Sequence, residues 1–106
     1  MSERLQNLLA ELRNRFEALY GPRLVRLVLF GSQARGDAEA GSDIDVLVVL
    51  EEPVKPGEEI RRTLDAVVEM SLENNTVFSC VFVSRERFEN ERSPLLINVR
   101  REGMPV

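Results

Sequence analysis

The sequence has no histidine and no tryptophan, and it has a single cysteine, Cys80. Without histidine, the chain cannot use a Ser-His-Asp triad or a zinc site with imidazole ligands. One cysteine cannot form a disulfide within the chain, so we expect a reducing, cytoplasmic environment and a buried, structural Cys80. No apolar run is long enough to cross a membrane, and the N-terminus leads into an amphipathic pattern instead of a signal-peptide core.

Positive charge is also scarce, because 14 Lys and Arg residues stand against 18 Asp and Glu residues and give a net charge of −4. Dedicated nucleic-acid-binding domains usually carry a basic excess, so nucleic acid is not an expected partner. A nucleotide site remains compatible with this charge, because a bound metal ion brings positive charge with it. At 106 residues, the chain is long enough to bury one core without disulfides.

Apolar residues follow helical spacing in three places and form strand-like runs in three others. The predicted order is helix, strand, short turn, strand, helix, strand, helix, which indicates a single α/β (α+β) domain over residues 1–106. The second strand is so apolar after its two acids that we expect it to be central and covered on both faces. The predicted segments are a helix from a Ser2 cap to Gly21-Pro22, strands at 24–30, 43–50 and 76–83, a helix around 60–72, a short turn capped by Ser84, and a helix that starts at Ser93-Pro94.

The pair Gly31-Ser32 directly follows the first predicted strand. A glycine at this place lets the backbone approach a ligand closely. If a helix starts just after it, the free N–H groups of that helix favour a phosphate, and Ser32 adds a hydroxyl donor. By itself, a Gly-Ser pair after a strand is more often an ordinary turn.

The segment Asp43-Ile44-Asp45 begins the second predicted strand. Because residues i and i+2 of a strand point to the same face, the two carboxylates stand side by side. They repel each other and resist burial, and a divalent cation relieves both penalties. Mg²⁺ prefers hard oxygen ligands of this kind. The alternative is that the two acids are simply solvated at the edge of a strand.

Ten residues separate Ser32 from Asp43, so the turn and the acid pair can form two walls of one cleft. Phosphoryl and nucleotidyl transfer need this layout, with phosphates on one wall and a metal on the other. Two segments resemble the signature of the minimal nucleotidyltransferases: Phe-Gly-Ser-Gln-Ala-Arg-Gly and, after it, Ser-Asp-Ile-Asp-Val-Leu-Val. This family lies in the DNA polymerase β-like nucleotidyltransferase superfamily. The resemblance covers residues 27–49, and the ending Ser-Pro-Leu-Leu-Ile-Asn-Val-Arg-Arg-Glu-Gly is similar to the tail of many members.

The resemblance implies a polymerase β-like fold, in which helices flank a small mixed β-sheet. It implies that Gly31 and Ser32 bind the terminal phosphates of a nucleoside triphosphate. Asp43 and Asp45 would be the catalytic residues and would hold one or two Mg²⁺ ions. Arg35, in the same loop, would either contact phosphate or be a surface arginine.

The resemblance also implies a reaction and a partner. Minimal nucleotidyltransferases are often encoded beside a HEPN-domain protein, so this chain would be the antitoxin of a toxin–antitoxin pair. It would transfer a nucleoside monophosphate, AMP from ATP, to a hydroxyl of its partner protein. A homo-oligomer stays open, and an exposed apolar face on the first or last helix would favour a dimer.

The sequence departs from the family pattern at the third carboxylate that active members carry on a later strand. The expected strand, 76–83, contains no Asp or Glu, and Ser79 or Cys80 would take that place. Neither residue is a good Mg²⁺ ligand or general base at neutral pH. The nearest acids, Glu69 and Glu73, lie on a predicted helix and are expected to be solvated.

The sequence therefore supports two hypotheses. In the first, the chain is a nucleotidyltransferase whose acceptor is a partner protein, because the chain has no room for a second domain that would hold a small acceptor. In the second, it is a non-catalytic nucleotide-binding module that regulates or masks its partner. The missing third acid favours the second hypothesis, and the nearly complete first motif favours the first.

Overall fold

A computed structural model describes all 106 residues, and its first element is the amphipathic helix α1, Glu3–Tyr20. The Ser2 hydroxyl accepts a hydrogen bond from the Leu5 N–H and caps the helix, as predicted. Gly21, at φ +54°, ends it and leads into a single 3₁₀ turn, Gly21–Arg23. The buried face of α1 consists of residues at helical spacing: Leu5, Leu8, Leu9, Leu12, Phe16 and Tyr20.

The sheet has four strands in the order β3-β2-β1-β4. Its strands are β1, Leu24–Phe30; β2, Ile44–Leu50; β3, Phe78–Ser84; and β4, Met104–Pro105. Strand β1 pairs antiparallel with both β2 and β4, whereas β2 pairs parallel with β3. The sheet is therefore mixed, which confirms the predicted fold class.

Helices cover both faces of this sheet. The even-numbered residues of β2 join α1 and Met70 of the helix α3, Pro56–Glu73, in the larger core cluster. Its odd-numbered residues Leu47 and Val49 pack with Leu96 and Val99 of the helix α5, Pro94–Glu102. Six of the seven β2 residues are buried, so β2 is the covered central strand that its apolar sequence predicts.

The connections explain the strand directions. Helix α3 carries the chain from the end of β2 back to the start of β3, which is the crossover that a parallel pair needs. A short helix, α2 at Gly31–Arg35, lies in the connection between β1 and β2. Ser84 caps the short helix α4, Arg85–Asn90, and Ser93 caps α5, as their sequence positions predict.

The structure differs from the predicted elements in three places. Strand β2 begins at Ile44, so Asp43 lies just before it, and β3 begins two residues later than predicted. Strand β4 was not predicted, because its two residues, one of them a proline, carry no periodic pattern and pair only where β1 offers a free edge. No helix combines the length and the apolar character that crossing a membrane requires.

Candidate active site

The site is built where β1 ends beside the start of β2. In the antiparallel register, Phe30 lies opposite Asp45, so Gly31 follows directly against the Asp45 side chain. Gly31 has φ +72°. A Cβ atom added to it would lie less than 3.0 Å from the Asp45 carboxylate, which is closer than Cβ atoms approach other atoms in proteins. Only glycine fits both this backbone angle and this space. The loop backbone at Gly31 is therefore in direct contact with the Asp45 carboxylate.

The loop between the two strands starts with α2, a single helical turn that contains Ser32. Phe30 is at its N-cap and provides no side-chain hydrogen bond, so the first N–H groups of the turn lack a side-chain cap. The Ser32 carbonyl accepts hydrogen bonds from the N–H groups of Gly36 and Asp37, which closes the turn. The Gln33 side chain donates to the Ser42 carbonyl at 3.4 Å and ties both ends of the loop together.

The two acids occupy different environments. Asp43 is exposed, whereas Asp45 is partly buried. Burial raises the pKa of Asp45 above its usual value, the negative charge of Asp43 raises that pKa further, and the charge of Arg35 opposes both effects. The carboxylates therefore repel each other across a partly desolvated space, which is the situation that a divalent cation relieves.

This pair of carboxylates fits a magnesium ion that keeps an open coordination sphere. No group of three or more Asp, Glu, His or Cys side chains is arranged so that it could hold a metal ion. Mg²⁺ commonly uses one or two protein carboxylates and completes its six positions with water and substrate phosphate oxygens. Asp43 and Asp45 would supply the protein share of such a set, and the remaining positions would be open to water and phosphate oxygens.

The register of β3 against β2 determines which residue occupies the position expected for a third acid. Ser79 is the parallel register partner of Asp45 and lies on the same face of the sheet. Cys80 pairs with Val46 and packs against the opposite core, where burial raises the pKa of its thiol to about 12. Ser79 is therefore the neighbour of the acid pair, and Cys80 is a thiol that packs against the core but is only partly buried, not fully buried as expected.

Arg35 is about half exposed and faces two carboxylates. Its guanidinium lies 3.2 Å from Asp37 in the same loop and 3.7 Å from Glu102 at the end of α5. The second ion pair ties the loop to α5, and a pocket of about 250 Å³ lies between them. Its polar lining comes from Arg35, Glu102 and Asn98.

Neither Glu102 nor Asn98 was predicted as part of the site. They lie more than 60 residues along the chain from Gly31, and no local motif marks either of them. The predicted surface acids Glu69 and Glu73 lie elsewhere, since both form ion pairs with Arg15 of α1, at 3.4 and 3.9 Å. They are not available to complete the acid pair.

Comparison with known proteins shows which family the chain belongs to. The family model described as "Nucleotidyltransferase domain" matches residues 9–102. A candidate protein adenylyltransferase of Methanocaldococcus jannaschii is 30% identical over 81 residues, which are 76% of this chain and 75% of that protein.

Solved structures share the fold. A candidate nucleotidyltransferase from Sulfolobus solfataricus superposes with a TM-score of 0.65 at 19% identity and covers 96% of this chain and 78% of its own. A toxin–antitoxin structure with AMP-PNP gives a TM-score of 0.60 at 19% identity, over 94% of this chain and 69% of that chain. A mutant of the toxin–antitoxin pair MntA–HpeT gives 0.58 at 16% identity, over 94% and 69%. On the match of the family model along most of its length, this chain belongs to the nucleotidyltransferase domain family and is an enzyme of the nucleotidyltransferase type.

Proposed function

We propose that this chain transfers AMP from ATP to a hydroxyl group of a partner protein, and that it is the antitoxin of a pair whose toxin is a HEPN-domain protein. The observation that carries the proposal is the contact between Gly31 and Asp45. It supports the proposal because the backbone of the loop that would bind the phosphates lies directly against the carboxylate that would hold the metal, and nucleotidyl transfer requires the two together. The names of the relatives support a protein acceptor, because one is a candidate protein adenylyltransferase and two are toxin–antitoxin structures.

The reaction follows from these groups. The acceptor oxygen attacks the α-phosphorus of ATP, a new P–O bond forms, the bond to pyrophosphate breaks, and the hydroxyl proton passes to solvent. Gly31 and Ser32 bind the terminal phosphates and thereby orient the pyrophosphate that leaves. Asp43 and Asp45 would hold Mg²⁺, which supplies positive charge to the phosphate oxygens as negative charge builds up there. Because Asp43 is exposed, a large acceptor can reach this side of the site.

Label transfer tests the proposal. The purified chain is incubated with Mg²⁺, ATP labelled at the α-phosphate, and the protein encoded by the neighbouring gene. We expect label on that protein with the wild type and none with the Asp43→Asn, Asp45→Asn double variant. Asp65→Asn is the matched control, because Asp65 is an exposed aspartate on α3 with no ion pair. Equal labelling by the double variant and the wild type contradicts the proposal, and the same assay with the other triphosphates identifies the nucleotide.

One observation favours a second candidate function. The register partner of Asp45 on β3 is Ser79, which offers no carboxylate to activate an acceptor hydroxyl. On this basis the chain would bind a nucleotide with Mg²⁺ and regulate or mask its partner without transfer. Tight nucleotide and partner binding with no label on any protein would support this second function over the first.

A further inference from the structure

Glu102 is the last residue of α5, and the chain on both sides of it is held firmly against the sheet. Before it, Val99 is buried in the core between α5 and the sheet. After it, Gly103 lies so close to β1 that an added Cβ atom would come within 3.0 Å of the Val28 side chain. Because β1 is also the strand that leads directly into Gly31, the backbone of Glu102 has a fixed position relative to the phosphate loop.

The position of Glu102 is electrostatically unfavourable for an acid. The C-terminal end of a helix carries partial negative charge, which favours basic side chains, and Arg100 and Arg101 follow this preference in the last turn of α5. The Glu102 carboxylate is offset by Arg101 at 3.5 Å and by Arg35 at 3.7 Å. The Arg101 side chain is 72% exposed and that of Arg35 is 46% exposed, so solvent screens the pair with Arg35 less.

This ion pair attracts the Arg35 guanidinium without using its hydrogen-bond donors. The Nε–H group donates to Asp37 at 3.2 Å, whereas Nη1 lies 3.7 Å from Glu102, which is beyond hydrogen-bond distance. The four N–H groups on Nη1 and Nη2 therefore donate no hydrogen bond within the chain. A guanidinium with these donors free is suited to bind two oxygens of a phosphate.

The guanidinium is held next to the site. Arg35 and Gly31 line the same cavity of about 250 Å³ between α2 and α5, so a phosphate on the Gly31 backbone would lie within reach of Arg35. Burial and the charge of Asp43 raise the pKa of Asp45, and the charge of Arg35 opposes them. The positive charge is therefore close enough to act on the carboxylate that would hold the metal.

We propose that Glu102 is a positioning residue, which holds Arg35 where its Nη groups contact the terminal phosphates of a bound nucleoside triphosphate. The inference rests on the proposed function only in requiring a triphosphate at Gly31 and Ser32. An arginine that is free in solvent loses rotamer freedom when it binds phosphate, and an ion pair that already holds it reduces this loss. Glu102 also repels the phosphates directly. The two effects are separable, because only the first one depends on Arg35.

Calorimetric titration of the full chain with ATP and Mg²⁺ tests the proposal through a double-mutant cycle of Arg35→Met and Glu102→Gln. Arg35→Met should weaken ATP binding at least about tenfold, because it removes charged hydrogen bonds to phosphate. Glu102→Gln should weaken binding about threefold to fivefold while Arg35 is present, and should strengthen it slightly or leave it unchanged in the Arg35→Met background. Glu89→Gln is the matched control, because Glu89 is an exposed glutamate on α4, and it should leave the affinity unchanged. Circular dichroism checks that every variant is folded.

The sign of the Glu102 effect decides the outcome. The proposal is overturned if Glu102→Gln binds ATP as tightly as the wild type or more tightly, because the carboxylate would then draw Arg35 away from the phosphates. It is equally overturned if Arg35→Met has no effect, or if Glu102→Gln weakens binding equally with and without Arg35. The expected binding pattern without label on any protein contradicts the proposed transfer and still supports the role of Glu102. A chain that binds no ATP contradicts both.

Discussion

Gly31 and Asp45 lie so close that the carboxylate of Asp45 occupies the space in which any larger residue at position 31 would place its Cβ atom. This contact joins the end of β1 to the start of β2. It turns two ordinary features, a Gly-Ser turn and an acid pair, into one site.

Substitution of Gly31 by alanine should displace the Asp45 carboxylate and also strain the backbone at φ +72°. We expect a loss of about 1–3 kcal/mol in the free energy of unfolding and at least a tenfold loss in affinity for Mg²⁺ with ATP. Gly36→Ala is a close control, because Gly36 has φ +81° in the same loop and no atom within 4 Å of an added Cβ. It should cost similar stability and keep the affinity. Equal loss of affinity in both variants would show that backbone strain alone is responsible.

Asp45→Asn should stabilise the metal-free protein and abolish its metal binding. The native carboxylate is partly desolvated and repelled by Asp43, and the neutral amide removes both penalties. We expect a small gain in the free energy of unfolding in urea without metal, because solvent screens much of the repulsion at a carboxylate that is only partly buried. Asp65→Asn should change neither quantity. A metal-free Asp45→Asn protein less stable than the wild type would contradict this explanation.

The pH dependence should follow the raised pKa of Asp45. A raised folded-state pKa favours the protonated carboxyl, so this contribution to stability is fully present below the usual aspartate pKa and is lost as the pH rises through the raised value. Metal-free wild-type protein should therefore lose stability relative to Asp45→Asn across that interval. Affinity for Mg²⁺ should show the opposite trend and weaken as the pH falls through it. Urea unfolding and metal titration at a series of pH values check both trends.

Ser79→Asp should add a third carboxylate beside Asp45, because the two positions are register partners on the same face. We expect Mg²⁺ affinity to rise by about tenfold with the extra hard oxygen ligand, and metal-free stability to fall because three like charges are brought together. Ser79→Asn keeps the size without the charge and should show neither effect. Unchanged Mg²⁺ affinity in Ser79→Asp would place the metal away from β3.

Glu59 should matter for stability and not for the site. This buried carboxylate accepts a hydrogen bond from the Tyr20 hydroxyl at 2.9 Å and lies 3.6 Å from Arg23, at the opposite end of the sheet from Gly31. Glu59→Ala should cost about 2–3 kcal/mol, because it leaves a cavity and an unpaired phenol. Glu59→Gln retains an acceptor and should cost less. Reduced nucleotide affinity in folded Glu59→Ala would contradict this separation of roles.

Local patterns in the sequence were sufficient to place most helices, strands and motifs. Helical spacing and the Ser2 cap predicted α1, the apolar run predicted β1 at its observed bounds, and Ser93-Pro94 marked the start of α5. The same holds for Gly31-Ser32 and the acid pair, which the structure brings together. These features depend on residues within a few positions of one another, where spacing alone determines which side chains share a face.

Long-range pairing decided the remainder. Alternation along a strand predicts its faces but neither its direction nor its neighbours, so the sequence left open whether Ser79 or Cys80 stands beside Asp45. The parallel register of β3 places Ser79 there. Glu102 reaches Arg35 only because α5 packs against the loop. On α3, the apolar residues Ile60, Leu64, Val68 and Leu72 are exposed because the helix buries its other face. A helical pattern shows that a face is apolar, but only the packed structure shows whether anything in the chain covers it.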